Sequence, residues 1–443
     1  MTYTIEKVTT LIGARRYGDR DGNVGFILTD SRSLCFPEET LFFALKSERN
    51  DGHNYIPELY RRGVRNFVVS QVPKGYASDY PEANFLKVVN TLEALQRLAE
   101  RHRDEFNIPI VGITGSNGKT MVKEWLHQLL SPSMFVTRSP RSYNSQIGVP
   151  LSVWLLNEQT QVGVFEAGIS QPGEMLALRD IIQPTIAVLT YLGAAHQENF
   201  ESLEAKCREK IILFHDADTI VYNGDDKTVS GVVNEYKDYK GEKLFWSFRD
   251  TKAPFFVKNV EKKGNLSIIT YIYKGEEDSY SLPFIDEASV TNSIIAAVVS
   301  RRLGLSAEEL DKRMALLEPV AMRLEVKEGQ HGCTLINDSY NSDINSLDIA
   351  LDFMSRRPDH KGRRHTLILS DIFQSGESAK DLYHEVSDLC RKRGVVKFIG
   401  IGPQLCSQSD EIQISEKFFF SNVEEFIDSE VFKSLRDEVI LLK

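Results

Sequence analysis

The 443-residue sequence predicts an α/β protein of three domains built on mainly parallel sheets. Three observations predict it. Short apolar runs alternate with helical spacings along most of the chain. A glycine-rich turn, VGITGSNGKT, joins an apolar run to a helix-like stretch, and a fresh strand-helix series begins after Pro319. Alternation of this kind implies parallel strands joined by crossover helices. A chain of this length exceeds one ordinary core, and the breaks divide it at 1–107, 108–319 and 320–443.

In the first segment the runs VGFIL, LFFAL, NFVVS and FLKVV read as strands of a small α/β domain, and the charged stretch LAERHRDEFN before Pro109 reads as the linker that ends it. The central strands are Ile108 to Ile113, VGVFEAG, IAVLT and TIVYNGDD, with helices near 173–182 and 203–215. Between Lys243 and Phe284 the runs KLFWSF, FFVKNV, LSIITYIY and YSLPF, separated by Gly, Lys and Asp, predict antiparallel hairpins at a sheet edge. Helical spacing returns from Asp286 to Leu317. The third series is RLEVKEG, TLIND, HTLILSD, VVKFIGIG, KFFFS and EVILLK. EVILLK has the composition of a buried strand, and a chain that stops there is expected to be part of a longer protein.

Charge and cysteine content exclude several classes. With 53 Lys and Arg against 63 Asp and Glu, net charge -10, the chain has no basic surplus for general nucleic-acid binding, so a small anionic ligand needs a local site. Cys35, Cys207, Cys333, Cys390 and Cys406 are scattered, with no C-x-x-C, and indicate neither a disulfide framework nor a zinc site. The start MTYTIEKVTTLIG lacks the basic segment and apolar core of a signal peptide, and no apolar run is long enough to span a bilayer. A cytoplasmic location without membrane insertion is the expectation.

The loop Gly115-Ser116-Asn117-Gly118-Lys119-Thr120 carries the clearest chemistry. Its glycines depart from G-x-x-x-x-G-K-[ST]: Ile113 stands where the first glycine belongs, Gly112 comes one position early, and Gly115 lies inside the loop. The physical requirements are met nonetheless. Gly115 and Gly118 let backbone N–H groups approach phosphate, Lys119 supplies a point charge, and the Thr120 hydroxyl can reach Mg²⁺. An ordinary strand-turn-helix corner has the same local pattern. Glu166, after VGVF, and His196, after IAVLTYLGAA, follow predicted strands and with Thr120 could converge on a metal. Taken singly, Glu166 reads equally as a solvated loop acid and His196 as a structural histidine.

Lys119-Thr120, SYNSQIGVP, VFEAGISQPGE, LTYLGAAHQENFESLEAKCREKIILF, VTNSIIAA, MRLEVKEG and INDSYNSDINSLDIAL follow one another in that order. The ordered set resembles the Mur ligases of peptidoglycan synthesis over the whole chain. Within that family the resemblance is to the member that joins D-alanyl-D-alanine to UDP-N-acetylmuramoyl-tripeptide. TDSRSLCFPEETLFFALKSERNDGHNYI is similar to its UDP-binding segment, with Ser47 in place of the usual glycine, and DSYNSDINSLDIAL and LSDIFQSGE resemble its third-domain motifs. The D-N-P-R of the ligase that adds the third amino acid is absent. The resemblance implies a UDP-sugar-binding first domain, a central P-loop ATPase domain, a Rossmann-like third domain, and ATP-dependent amide formation through an acyl phosphate. It also implies an alanine racemase domain fused beyond Lys443.

Residue by residue, the resemblance implies that Lys119 holds the ATP phosphates within the loop 115–120. Thr120, Glu166, His196 and Lys210 would serve two Mg²⁺ ions, Lys210 as a carbamate made with CO₂. An ammonium cannot bind Mg²⁺, whereas a carbamate offers an anionic oxygen; without the resemblance Lys210 would be a plain lysine on a helix surface. Asn292 matches the residue that reads adenine, with Ala288 and Ser289 replacing the His-Asn usually found before it. Arg323, preceded by Met322 instead of glycine, matches an arginine that reaches ATP phosphate. Asp338 matches the ribose-binding acid, with Tyr340 and Asn341 beside the adenine and substrate site, and Asn144 matches a residue near the transferred phosphate. Ser31, Arg32, Asp51, Gly52 and His53 fall in the UDP-binding segment. The alternatives are another Mur-type ligase, a folylpolyglutamate-type ligase, which lacks this first domain, a generic P-loop NTPase, and a nucleotide sensor without catalysis. A generic NTPase accounts for neither Lys210 nor the first domain.

Overall fold

Each apolar run of the first hundred residues forms a strand in the computed structural model, which describes residues 1–443 except 48–49, 194–198, 238, 322–323, 340–341, 357–361 and 373–377. The strands are β1 (Tyr3–Thr4), β2 (Arg15–Tyr17), β3 (Asn23–Val24), β4 (Phe26–Leu28), β5 (Thr40–Phe43), β6 (Asn66–Val69) and β7 (Asn84–Lys87). β1 pairs with β3, and the rest form a sheet of order β2-β7-β6-β5-β4, parallel except for β2 against β7. Every residue of β5 and β6 is buried, as expected of a parallel sheet covered on both faces. Leu41, Phe43, Val68 and Leu86 pack with Leu95 and Leu98 on one face, and Phe42, Phe67 and Phe85 pack with Ile56 and Leu59 on the other.

LAERHRDEFN is not a linker. Its first part completes the helix Thr91–Arg103, capped by the Asn90 side chain, which accepts from the N–H groups of Leu92 and Glu93. The charged letters mislead because two of them are buried and satisfied. His102 donates from Nε2 to the Leu156 carbonyl (3.0 Å) and accepts at Nδ1 from the Tyr3 hydroxyl (2.8 Å), while Arg103 donates to the carbonyls of Ile182 and Gln183, each at 3.0 Å. Burial pushes the His102 pKa down to about 4, which keeps the ring neutral.

The chain packs as two units. The first is Met1–Gly112 with Met134–Ile169 and Gly173–Thr185; the second is Ile113–Ser133 with Ser170–Pro172 and Ile186–Lys443. The central strands are β8 (Ile110–Thr114), β9 (Val136–Arg138), β10 (Val162–Glu166), β11 (Ile186–Leu189), β12 (Thr219–Val221) and β13 (Glu242–Lys243). In the first unit the order is β8-β10-β9, and in the second it is β13-β12-β11-β8. β9 with β10, β11 with β12, and β12 with β13 are parallel pairs.

The runs between Lys243 and Phe284 form the expected antiparallel hairpins, and Trp246, bridged to Asn223 beyond β12, ties them to the edge of the central sheet. β14 (Trp246–Ser247), β15 (Phe255–Lys263), β16 (Leu266–Tyr273) and β17 (Glu276–Leu282) form a four-stranded sheet of their own in that order, and β14 pairs with β15 in parallel. The reason lies in the alternation along β16, which buries Ile269, Tyr271 and Tyr273 on one face. Phe255 stacks on Tyr271 at 4.5 Å, and the helix Glu287–Arg302 covers the sheet with Ser293, whose hydroxyl is 3.0 Å from that of Tyr280. A sheet with its own apolar face needs its own cover.

The third series gives β18 (Glu325–Glu328), β19 (Thr334–Asn337), β20 (Arg364–Ser370), β21 (Lys397–Ile401), β22 (Glu416–Phe420) and β23 (Glu438–Leu442). Their order is β18-β19-β23-β20-β21-β22, parallel except for β18 on β19. EVILLK is thus β23, a central strand buried from Glu438 to Leu441. Among the described residues no helix is long and apolar enough to cross a membrane.

Candidate nucleotide site

The site begins where β8 meets the glycine loop. Gly115 has φ +143° and Gly118 φ +89°, backbone that residues with a side chain rarely adopt. A Cβ at Gly115 would lie 2.1 Å from Thr190 Oγ1, and one at Gly118 2.5 Å from Asn292 Oδ1. Both glycines therefore answer to close approach as well as to dihedral angle. Gly118 opens the helix Lys119–Leu130 without a side-chain cap, whereas Ser202, Asp226 and Asp286 cap the helices that begin at Leu203, Lys227 and Glu287. A helix start presented behind a glycine loop is the arrangement that accepts phosphate.

Backbone and hydroxyl bonds hold the loop to the residues that follow β11. Thr190 N–H donates to the Thr114 carbonyl (3.0 Å), Ser116 N–H donates to the Tyr191 carbonyl (2.6 Å), and the Thr190 hydroxyl donates to the Asn117 carbonyl (2.5 Å). The Ser116 hydroxyl donates to the Gly193 carbonyl and accepts from the Gly193 N–H, both at 3.0 Å.

Lysines converge on this loop. Lys119 Nζ donates to the carbonyls of Gly115 (2.8 Å) and Ser116 (3.2 Å), Lys210 Nζ to that of Gly115 (3.4 Å), and Lys206 Nζ to that of Gly193 (2.5 Å). Lys206 and Lys210 are buried, at 1% and 3% exposure. Burial, reinforced by the charges of Lys119 and Lys206, holds the Lys210 pKa well below the usual lysine range and favours its neutral amine. In a chain of net charge -10 this is a local positive site of the kind that an anion requires. Thr120, half-buried, follows Lys119 in the same helix, and Asn292, buried, donates to Met121 Sδ at 3.3 Å beside Gly118.

In the first unit Glu166 closes β10, fully buried, its N–H donating to Ser139 Oγ at 3.2 Å. Asn144 Nδ2 donates to Glu166 Oε2 at 3.4 Å, and the Asn144 carbonyl accepts from Gly168 N–H at 2.8 Å. The expected UDP-binding residues lie on two short turns. The exposed Arg32 guanidinium grips the Asp30 carboxylate (2.6 Å at the nearest) and, with its own N–H, pulls that carboxyl down to about 2; the buried Ser31 offers its carbonyl to Arg62 at 2.8 Å. Asp51 accepts from His53 N–H (3.0 Å) and Nδ1 (2.6 Å), which hold its pKa low, and Ser70 N–H donates to His53 Nε2 (3.1 Å), so the ring proton sits on Nδ1. A Cβ at Gly52 would meet the Ala44 backbone at 2.8 Å.

Asp338 follows β19, where Lys443 pairs with its Oδ2 and Leu324 N–H donates to its Oδ1 at 3.2 Å. A ribose at Asp338 would have to share these oxygens. His196, Arg323, Tyr340 and Asn341 lie outside the described residues. The second unit therefore gathers the loop, Lys119, Thr120, Lys210 and Asn292, and the first pairs Glu166 with Asn144. Sequence reasoning missed Thr190 and Lys206. Signals for both exist: Thr190 is the polar letter that ends IAVLT, and Lys206 stands one helical turn before Lys210.

Comparison with known proteins places this site. Residues 113–300 match the family model of the Mur ligase middle domain. A Bacillus subtilis protein named UDP-N-acetylmuramoyl-tripeptide--D-alanyl-D-alanine ligase is 28% identical over 368 residues, which cover 81% of this chain and 76% of that protein. Among solved structures, MurF from Acinetobacter baumannii superposes with a TM-score of 0.84 at 22% identity, covering 100% of this chain and 95% of that one. MurF from Thermotoga maritima in complex with ADP gives 0.77 at 22% identity over 94% of this chain and 92% of that one. The expected multi-domain α/β fold is the fold of these structures. The glycine loop, Lys119, Lys206 and Lys210 all lie within the stretch that matches the Mur ligase middle domain.

Proposed function

We propose that the protein joins the amine of D-alanyl-D-alanine to the terminal carboxylate of UDP-N-acetylmuramoyl-tripeptide, with cleavage of ATP, in the cytoplasmic stage of peptidoglycan precursor synthesis. The observation that carries this reading is the convergence of Lys119 and Lys210 on the carbonyls of one glycine loop ahead of a helix start without a side-chain cap. The similarity to ligases named for that reaction supports the choice of substrates. The division at 107/108 and 319/320 is part of the proposal, with UDP-sugar on the first segment, ATP on the second and closure by the third.

A carboxylate does not react with an amine at neutral pH because its oxygen is a poor leaving group, and ATP supplies the phosphoryl group that converts it into one. The carboxylate attacks the γ-phosphate to form an acyl phosphate; the amine attacks the acyl carbon, and phosphate leaves with the carbonyl restored. The chain supplies position and charge. Lys119 faces the phosphate charge once a nucleotide displaces it from the Gly115 and Ser116 carbonyls, the loop N–H groups orient the phosphates, and Asn144 and Arg323 approach the transferred group. Ser31, Arg32, Asp51, Gly52 and His53 hold the UDP-sugar, and Asn292, Asp338, Tyr340 and Asn341 hold the nucleoside.

Two Mg²⁺ ions are part of the proposal, supported by the chemistry of each residue taken by itself. Glu166 is a fully buried carboxylate, and Lys210 is a buried amine with its pKa held down, the form that adds CO₂ to become an oxygen ligand. Thr120, Glu166, His196 and the Lys210 carbamate would hold the ions, which offset phosphate charge.

Phosphate release tests the reading. Turnover is expected only with ATP, the UDP-tripeptide and D-alanyl-D-alanine all present, because the acyl phosphate forms on a bound carboxylate. Equal ATP cleavage with neither acceptor nor donor present would mean a generic NTPase.

A further inference from the structure

Lys206 has no part in the reading above, yet it is buried in the same site. It shares the helix Leu203–Lys210 with Lys210, one turn away, so both side chains leave the same face. Lys210 reaches the Gly115 carbonyl at 3.4 Å, and Lys206 reaches the Gly193 carbonyl at 2.5 Å. Gly193 is in turn joined to Ser116 by two bonds of 3.0 Å. The helix thus touches the phosphate loop at consecutive residues, Gly115 directly and Ser116 through Gly193.

We propose that Lys206 is a positioning residue of the nucleotide site, locking the helix that carries Lys210 to the phosphate loop through the Gly193 carbonyl. The inference rests on the reading that this loop binds ATP. Docking of the helix does not require a lysine there: Cys207 and Ile211 are already buried beneath it, at 0% and 1% exposure. A lysine at 1% exposure has given up water for its ammonium and freedom for its long stem, a loss that an aliphatic residue would avoid. What the lysine adds is a charged donor to a carbonyl that also binds the loop. The Ser116 hydroxyl is engaged with Gly193 in both directions and forms the loop side of the lock.

The test uses the full chain with Lys206→Met, which keeps length and loses the donor, and Lys206→Arg, which restores one. Three quantities are measured: amide exchange at Ser116 and Gly193 without nucleotide, ADP affinity by calorimetry, and the melting temperature. For Lys206→Met, exchange at both amides should rise about tenfold and ADP affinity should fall about tenfold, with melting close to the parent. Lys206→Arg should recover part of both. Parent-like protection of both amides together with ADP affinity within about twofold of the parent would overturn the proposal. If Lys206→Met does not fold, Ser116→Ala breaks the same junction from the loop side, and unchanged exchange at Gly193 in that variant overturns it equally. A parent that binds ADP but turns over no UDP-tripeptide defeats the ligase reading and leaves the lock standing; the exchange measurement decides the lock without either substrate.

Discussion

Lys119→Ala is expected to lower turnover by about two to three orders of magnitude, or roughly 3 to 4 kcal/mol of transition-state stabilisation, with the melting temperature nearly unchanged. The two halves of that expectation have separate origins. Lys119 is half-buried at the start of its helix, and its ammonium donates to the loop carbonyls of Gly115 and Ser116. Removing it leaves those carbonyls within reach of water and opens no void in a core. Its charge, by contrast, acts on phosphate oxygens in a site with little competing solvent, where a fixed cation counts for most. Steady-state rates at saturating substrates, alongside a melting curve, check it. Turnover within about tenfold of the parent would remove the loop lysine from the chemistry.

Lys210→Ala should be nearly inactive, and acetate or formate should restore part of the rate. The parent side chain is buried and its amine is biased towards the neutral form that adds CO₂. Truncation leaves space in which a small carboxylate can present the oxygen that the carbamate would have offered to Mg²⁺. Lys210→Arg should fail as well, since a guanidinium keeps its proton and forms no carbamate. A second readout is independent of turnover: with ¹³C-labelled bicarbonate, a carbamate resonance should be present in the parent and absent from Lys210→Arg. An arginine variant as active as the parent would end the carbamate assignment at this position.

Much of the fold was legible because the strand signal is local. TIVYN, IAVLT and VGVFE are short, apolar and rich in β-branched residues, and each became a strand of the central sheet. The hairpins at 246–282 are legible in their alternation, but nothing in LSIITYIY says that their apolar face meets the helix Glu287–Arg302; Ser293, on that helix, comes later in the chain. LAERHRDEFN was misread because the carbonyls that satisfy His102 and Arg103 belong to Leu156, Ile182 and Gln183, far along the sequence. The candidate site divides in the same way. Glycine, lysine and threonine at 115–120 carry their chemistry in their order. Lys210 reads as a surface lysine until the family resemblance singles it out, and its burial is visible only in three dimensions. Asp338 reads in the sequence only as an acid after TLIN; that Lys443, 105 residues further on, pairs with it is visible only in three dimensions.

β23 fills the gap between β19 and β20, with Val439 opposite Thr334 and Glu438 opposite Arg364. It follows the other five described strands of its sheet in the chain, so during synthesis β19 and β20 have bare facing edges until it emerges. Closing a loop of about a hundred residues adds little to the equilibrium entropy cost but slows the search, and an unpaired edge is what another chain can capture in the meantime. The third sheet is therefore completed from its middle, and its vulnerable period falls between the emergence of β20 and the arrival of β23. In pulse-labelled exchange, protection of Asp338 and Ser370, whose N–H groups donate to the carbonyls of Leu442 and Lys443, should arise together with that of Lys443, whose N–H donates to the Ile368 carbonyl; protection of Asp338 and Ser370 in advance of Lys443 would show that β19 and β20 find another partner first.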